Sequence, residues 1–198
     1  MELLLIRHGE STANSSRLTA GRLDVPLTAN GREQARELGM HLPQIMAGKK
    51  IVRVISSPLA RAIDTAALLQ LPLQADMDSR WMEMDYGDFD GLPIDSVPAG
   101  FWQRWMADIG YAPPGGESLV SVGTRVRSAC HDIVSQGYKD DEIVVVVSHV
   151  SPIKAAIAWS LGAGDQAAWH MHLDTASVSS VSILDGKPLM HRFNQHYH

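Results

Sequence analysis

The sequence predicts an α/β fold around a mostly parallel sheet, and three stretches carry that prediction. Leu3–Ile6, Ile51–Ile55 and Ile143–Val147 are short, nearly uninterrupted aliphatic runs. Each is broken by polar residues, and stretches with helical spacing follow the second and third. Strands buried on both faces read as such runs, and strand alternating with helix is the pattern of βα units in a parallel sheet.

Taken in order, the chain opens with MELLLIRHGES, a strand over Leu3–Ile6 that passes at once into Arg7, His8 and Gly9. The small, polar segment from Thr12 to Pro26 reads as a surface loop with a turn of helix, punctuated by Gly21 and Pro26. In LTANGREQARELGMHLPQIM, Ala35, Leu38, Leu42 and Ile45 recur at helical spacing behind Thr28, a residue type that caps helix N-termini. The strand Ile51–Ile55 ends at Ser56, Ser57 and Pro58, and ARAIDTAALLQ supplies the next helix. Residues 73–119 break this rhythm. Trp81, Tyr86, Trp102 and Trp105 stand among dispersed glycines and prolines, only Phe101–Ile109 has helical rhythm, and the stretch is expected to be a cap outside the sheet. Val122, Val126, Ala129 and Ile133 restore a helix over 118–136. The β-branched strand Ile143–Val147 then ends at Ser148 and His149, and Pro152–Leu161 reads as helix. SVSSVSIL and PLMHRF alternate at period two around Asp185 and Gly186, which predicts a β-hairpin near a sheet edge. With no internal repeat or linker, one domain over 1–198 is expected.

Composition narrows the function. The chain has 198 residues, 45% hydrophobic and 20% charged, enough to bury a substantial core and unlike a disordered segment. A net charge of −5 argues against nucleic acid as a partner, because phosphate-backbone binding shows as a basic face. No apolar run approaches the ~18 residues of a membrane span, and the first residues are too short and acidic for a signal peptide. Cys130 is the only cysteine, so no intrachain disulfide forms; it is expected as a buried packing thiol in a reducing, cytoplasmic setting.

The ends of the three strands carry Arg7 and His8, then Ser56 and Ser57 with Arg61 a helical turn later, then Ser148 and His149. In an open parallel sheet, strand ends share one edge and ligands sit beyond it, so two histidines and two arginines are expected to converge there. That set suits phosphoryl transfer. Guanidinium groups stay charged and match phosphate oxygens, and a neutral imidazole attacks phosphorus to give a covalent intermediate. With arginines supplying the electrostatics, no metal or other cofactor is expected. His170 and His172, and His196 and His198, repeat an i, i+2 spacing, but neither pair completes a familiar metal-ligand set. Gly9 is expected to let backbone approach the anion, and Ser57 to cap the helix that follows Pro58. Trp81, Trp102 and Trp105 are expected to pack beneath the cap, although an aromatic cap also suits a ring-bearing leaving group.

Five blocks, LIRHGES with Asn14, DVPLTANGREQA, SSPLARAIDTA, EMDYGDFDG and VSHVSPIK, together resemble the histidine phosphatase superfamily, also called phosphoglycerate-mutase-like. They run in family order across residues 3–154. The resemblance implies a three-layer αβα sandwich with a small cap insertion. It implies that His8 is the nucleophile that becomes phosphohistidine, that Arg7 and Arg61 hold phosphate, that Asn14 adds a contact, and that His149 bonds the phosphoryl oxygens. Glu83 corresponds to the acid/base residue. Some relatives carry the acid immediately after the second histidine, but Val150 stands there, so the donor comes from elsewhere. Among the cap carboxylates Glu83, Asp85, Asp88 and Asp90, Glu83 is the first candidate and Asp85 the second.

The expected activity is therefore a metal-independent phosphomonoesterase acting on a small phosphorylated metabolite. The block SHVSPIK with the later HLDTAS is similar to the α-ribazole-phosphatase-like branch, which makes α-ribazole phosphate or a sugar phosphate candidate substrates. Phosphoglycerate mutase is the alternative, set lower because mutases of this type tend to have longer cap regions. A silent phospho-ligand binding module is the other, set lower because Arg7, His8, Arg61, Glu83 and His149 are all present. The alternating C-terminal strands leave an edge through which a homodimer can form.

Overall fold

The structure, a computed structural model, describes residues 1–197. A six-stranded sheet comprises β1 (Glu2–Arg7), β2 (Lys50–Ser56), β3 (Ala75–Met77), β4 (Glu142–Ser148), β5 (Val178–Leu184) and β6 (Lys187–Gln195), in the order β3-β2-β4-β1-β5-β6. Pairing is parallel from β3 through β1 and antiparallel for β5 and β6. The mostly parallel α/β expectation thus holds, with β5 and β6 returning as the hairpin read from the C-terminal alternation. β5 is buried along most of its length because it pairs with β1 on one side and β6 on the other; only β6 keeps a regular alternation of exposure.

The helices are α1 (Thr12–Ser15), α2 (Ala29–Met46), α3 (Ala60–Leu68), α4 (Ala99–Ala107), α5 (Leu119–Ser135) and α6 (Val150–Ser160). Thr28 caps α2 as its residue type predicts, its hydroxyl accepting the Gly31 N–H at 2.9 Å. Successive side chains of a strand point to opposite faces, and β1 shows the consequence. Leu3 and Leu5 enter one core with Val122, Val126 and Ile153, whereas Leu4 and Ile6 enter another with Leu38, Leu42 and Ala62. Helices α5 and α6 cover the first face, α2 and α3 the second, giving three layers.

Two readings need correction. Residues 75–77 belong to the sheet and not to an excursion: β3 adds to the outer side of β2. The excursion proper begins with the 3-10 turn Ser79–Trp81 and carries two further turns, Gly87–Phe89 and Ile94–Ser96, and α4. Gly9, expected to make room for an anion, instead makes room for α2. A Cβ on Gly9 would lie 2.2 Å from the Gly31 carbonyl oxygen, and one on Gly31 would lie 2.0 Å from that of Glu10.

Cys130 is fully buried on α5, and burial pushes its thiol up to about 12. His198 lies outside the described residues. Among those described, no helix is long and apolar enough to cross a membrane, and no three His, Cys, Asp or Glu side chains are grouped to hold a metal ion.

Candidate active site

Main-chain bonds fix the strand ends before any side chain is considered. Past the end of β1, the His8 N–H donates to the Ser148 carbonyl at 3.0 Å and the His8 carbonyl accepts from the Ala176 N–H at 3.1 Å. From the β2 side, the Ser57 N–H donates to the Val147 carbonyl at 3.0 Å. Arg7, His8, Asn14, Arg61 and Glu83 then line one cavity of about 230 Å³, together with Leu18, Tyr86, Ile94, Trp102 and Val150. Asp85, Asp88 and Asp90 do not line it.

His8 is 3% exposed, and its Nδ1 lies 2.7 Å from the Gly9 carbonyl oxygen. A carbonyl only accepts, so Nδ1 carries the hydrogen and Nε2 keeps its lone pair in the neutral ring. Burial holds the imidazole well below its usual titration range, and the positive charges of Arg7 and Arg61 act in the same direction. The result is an uncharged nitrogen base with a free lone pair.

His149 is wholly buried and not among the cavity-lining residues; its ring centroid is 5.0 Å from that of His8. Arg61 Nε donates to His149 Nδ1 at 3.2 Å, and Ser57 Oγ lies 2.7 Å from His149 Nε2. Arginine only donates, so Nδ1 is the bare nitrogen and Nε2–H donates to the Ser57 hydroxyl. Desolvation is the main reason that this ring also stays neutral. For His149 to reach a phosphoryl oxygen, as the resemblance implies, it must give up the bond to Ser57. Ser57 accepts the Leu59 N–H at 3.3 Å within the turn, but Leu59 is the N-cap residue of α3 and no side chain caps that helix, so Ser57 is not the helix cap expected; its hold on His149 is invisible in the sequence.

The two arginines differ. Arg61, 1% exposed, makes four hydrogen bonds: to His149, to the Leu23 carbonyl, and to the carbonyls of Ala20 and Gly21. Little of its five-donor fork remains for a ligand. Arg7 donates from Nη1 to the Leu173 carbonyl at 2.5 Å, while its buried Nε has no hydrogen-bond partner among the described residues. A buried unpaired donor on a cation is costly, and an anion in the cavity would satisfy it.

Glu83 takes the place of a cap on α6, whose N-cap residue His149 makes no side-chain capping bond. Its carboxylate accepts the N–H groups of Val150 and Ser151, both at 3.1 Å, and that of Met84 at 2.8 Å. Arg125 steadies the segment behind it, pairing through two nitrogens with Glu117 and donating to the Arg80 and Glu83 carbonyls. Nothing in the sequence singled out Arg125. Asp85 is turned away, accepting the Gly87 N–H at 2.8 Å and facing Arg22. Asn14 lines the cavity, and it also caps: its Oδ1 accepts from the Ser11 N–H and hydroxyl, and Ser11 Oγ accepts the Asn14 N–H. Trp81 and Trp105 are packed as expected, whereas Trp102 reaches the cavity. Of the remaining histidines, His172 and His196 both face Asp174, at 3.0 and 2.9 Å.

Residues 3–196 match the histidine phosphatase superfamily (branch 1) over nearly the whole chain. The chain belongs to that superfamily. It is 36% identical to a bifunctional protein of Mycobacterium tuberculosis over 199 residues, 98% of this chain and 53% of that protein, so it spans about half the length of that relative. A glucosyl-3-phosphoglycerate phosphatase of Mycolicibacterium vanbaalenii is 34% identical over 170 residues, covering 81% of this chain and 74% of that enzyme. The structure of the α-ribazole phosphatase from Shigella flexneri superposes with a TM-score of 0.84 at 29% identity, covering 98% of this chain and 96% of that one. The histidine phosphatase fold thus accounts for the sheet order and for helices on both of its faces.

Proposed function

We propose that this chain forms one histidine phosphatase domain that hydrolyses phosphomonoesters without a metal, through a phosphohistidine on His8. One observation carries the reading: a bare imidazole nitrogen and an unpaired buried guanidinium N–H belong to side chains that line the same cavity. Arg7 binds the phosphoryl oxygens, with Asn14 Nδ2 and the remaining Arg61 donor adding contacts. His8 Nε2 attacks phosphorus, the N–P bond forms as the P–O ester bond breaks, and Glu83 gives its proton to the leaving oxygen. Water then attacks phosphorus, Glu83 takes the proton from it, and the N–P bond breaks to release phosphate. His149, pressed against His8 and bonded to Arg61, keeps the clamp in place and, once its Nε2–H turns from Ser57, stabilises the charge that develops on the phosphoryl oxygens.

Beyond the groups assigned to phosphate chemistry, the cavity is lined by the apolar Leu18, Ala20, Ile94, Trp102 and Val150 and by the uncharged hydroxyl-bearing Ser11, Thr19 and Tyr86. They favour a leaving alcohol that is uncharged and presents an apolar or ring face, as in α-ribazole phosphate or a sugar phosphate carrying a ring. The buried single thiol suits a reducing cytoplasm. The test is hydrolysis of p-nitrophenyl phosphate in chelator. Wild type is expected to turn over and to trap ³²P from labelled substrate as an acid-labile adduct, and His8→Ala to do neither. An inactive wild type overturns the reading. Transfer of phosphate between carbons of a phosphoglycerate, dependent on a diphosphoglycerate primer, would replace it with a mutase.

A further inference from the structure

Asp90, in the excursion just after the turn Gly87–Phe89, lies outside the cavity lining yet is bonded to the loop that grips Arg61. Its carboxylate accepts three consecutive backbone N–H groups: Gly21 on Oδ1 at 2.7 Å, and Arg22 and Leu23 on Oδ2 at 2.8 and 2.7 Å. The carbonyls of the same loop face the other way. Ala20 and Gly21 accept from Arg61 Nη2 at 3.1 and 3.0 Å, and Leu23 accepts from Nη1 at 2.9 Å. Two peptide groups therefore bridge the pair. The unit joining Ala20 to Gly21 gives its N–H to Asp90 and takes a hydrogen from Arg61 on its oxygen, and the unit joining Gly21 to Arg22 does the same. A peptide whose N–H is bonded to an anion is polarised toward its oxygen and accepts more strongly there. The loop has no room to shift, since a Cβ on Gly21 would lie 2.2 Å from the Met84 carbonyl oxygen.

We propose that Asp90 is a positioning residue for Arg61, the anionic half of a peptide-bridged ion pair that sets the angle of the guanidinium over the phosphate site. The proposal rests on the reading above in taking Arg61 as a phosphate contact. It also explains how a side chain with four bonds already made still presents a fixed donor to the cavity: the plane is held from behind, and through Nε the same plane holds His149. Asp90 touches neither substrate nor reacting atoms.

The experiment compares Asp90→Asn in two backgrounds, wild type and Arg61→Lys, reading kcat and KM for p-nitrophenyl phosphate and the Kd for inorganic phosphate by calorimetry. Asparagine keeps the shape but offers one accepting oxygen where three N–H groups need two. Lysine keeps charge at position 61 but cannot bridge the loop carbonyls and His149 together. In the wild-type background Asp90→Asn is expected to lower kcat/KM and weaken phosphate binding by about tenfold each; with Arg61→Lys it is expected to change either by less than about twofold, because residues acting through one another are not additive. A loss of the same size in both backgrounds assigns Asp90 a merely structural part and overturns the proposal, as does no loss in either. If Asp90→Asn does not fold, Asp90→Glu is read by the same criteria. A wild type that binds phosphate without hydrolysing it overturns the phosphatase reading and leaves the phosphate Kd to decide this one; a wild type that does neither overturns both.

Discussion

Ser57→Ala removes one hydroxyl and, by the geometry above, strands two donors. His149 Nε2–H loses its acceptor at 2.7 Å in a fully buried setting, and the Leu59 N–H loses the capping oxygen at 3.3 Å. A buried donor left without a partner costs about 1–3 kcal/mol, and a weak turn cap about 0.5–1 kcal/mol. Alanine fills nearly the same volume, so the cavity contribution is small. The expected loss is about 1.5–4 kcal/mol, read as a lower midpoint in urea at unchanged m; with m of about 2 kcal/mol/M the shift is about 1–2 M. Activity is expected to fall as well, because without Ser57 nothing fixes the plane in which the His149 ring rests against Arg61 before its Nε2–H turns to a phosphoryl oxygen. A midpoint within about 0.3 M of wild type would refute the assignment of Nε2–H to Ser57, since the donor would then have another acceptor.

Three further outcomes follow from the same geometry. His8 and His149 are both held neutral by burial, so an unfolded chain binds protons below about pH 6.5 that the folded chain refuses. Stability from these groups is therefore fully present above that pH and falls on acidification by up to about 1.4 kcal/mol per pH unit for each ring; denaturation at pH 7.5, 6 and 5 reads it, and a flat profile contradicts it. Gly31→Ala sets helix propensity, worth about 1 kcal/mol in favour of alanine, against a Cβ 2.0 Å from the Glu10 carbonyl oxygen. Backbone cannot yield as a flexible side chain does, so the clash wins and thermal melting should drop by several degrees, with activity reduced because Gly9 moves too. Arg125→Ala frees the Glu83 carbonyl and leaves the Glu117 carboxylate without its two-nitrogen partner. It is expected to lower kcat more than it raises KM, and unchanged kinetics would show that Glu83 is held by its own bonds to α6 alone.

What the sequence made legible is what local chemistry dictates. The aliphatic runs of β1, β2 and β4 are buried on both faces and read as strands. Their polar ends belong on one edge because parallel strands finish on the same side, which is how His8, Arg61 and His149 were brought together on paper. β3 left no such trace: three residues pairing on one side only, with Asp76 and Met77 exposed, carry neither a run nor an alternation. The roles of Ser57, Arg125 and Asp90 depend on His149, on Glu83 and on Gly21–Leu23, 42–92 positions away along the chain, a range over which no periodicity speaks. Gly9 is a case in which a small residue beside a candidate nucleophile invites a ligand-based explanation although a neighbouring helix supplies the reason.

The bonds that lace His8 between Ser148 and Ala176 have a mechanical consequence. The main chain of residue 8 is tied to both neighbouring segments just past the end of β1, so the side chain there keeps its direction whatever happens in the excursion. The apolar cavity-lining residues Leu18, Ile94 and Trp102 lie outside the strands, where an exchange leaves the sheet ladder intact. The wall of the cavity can therefore be reshaped without moving the anchored position on its floor.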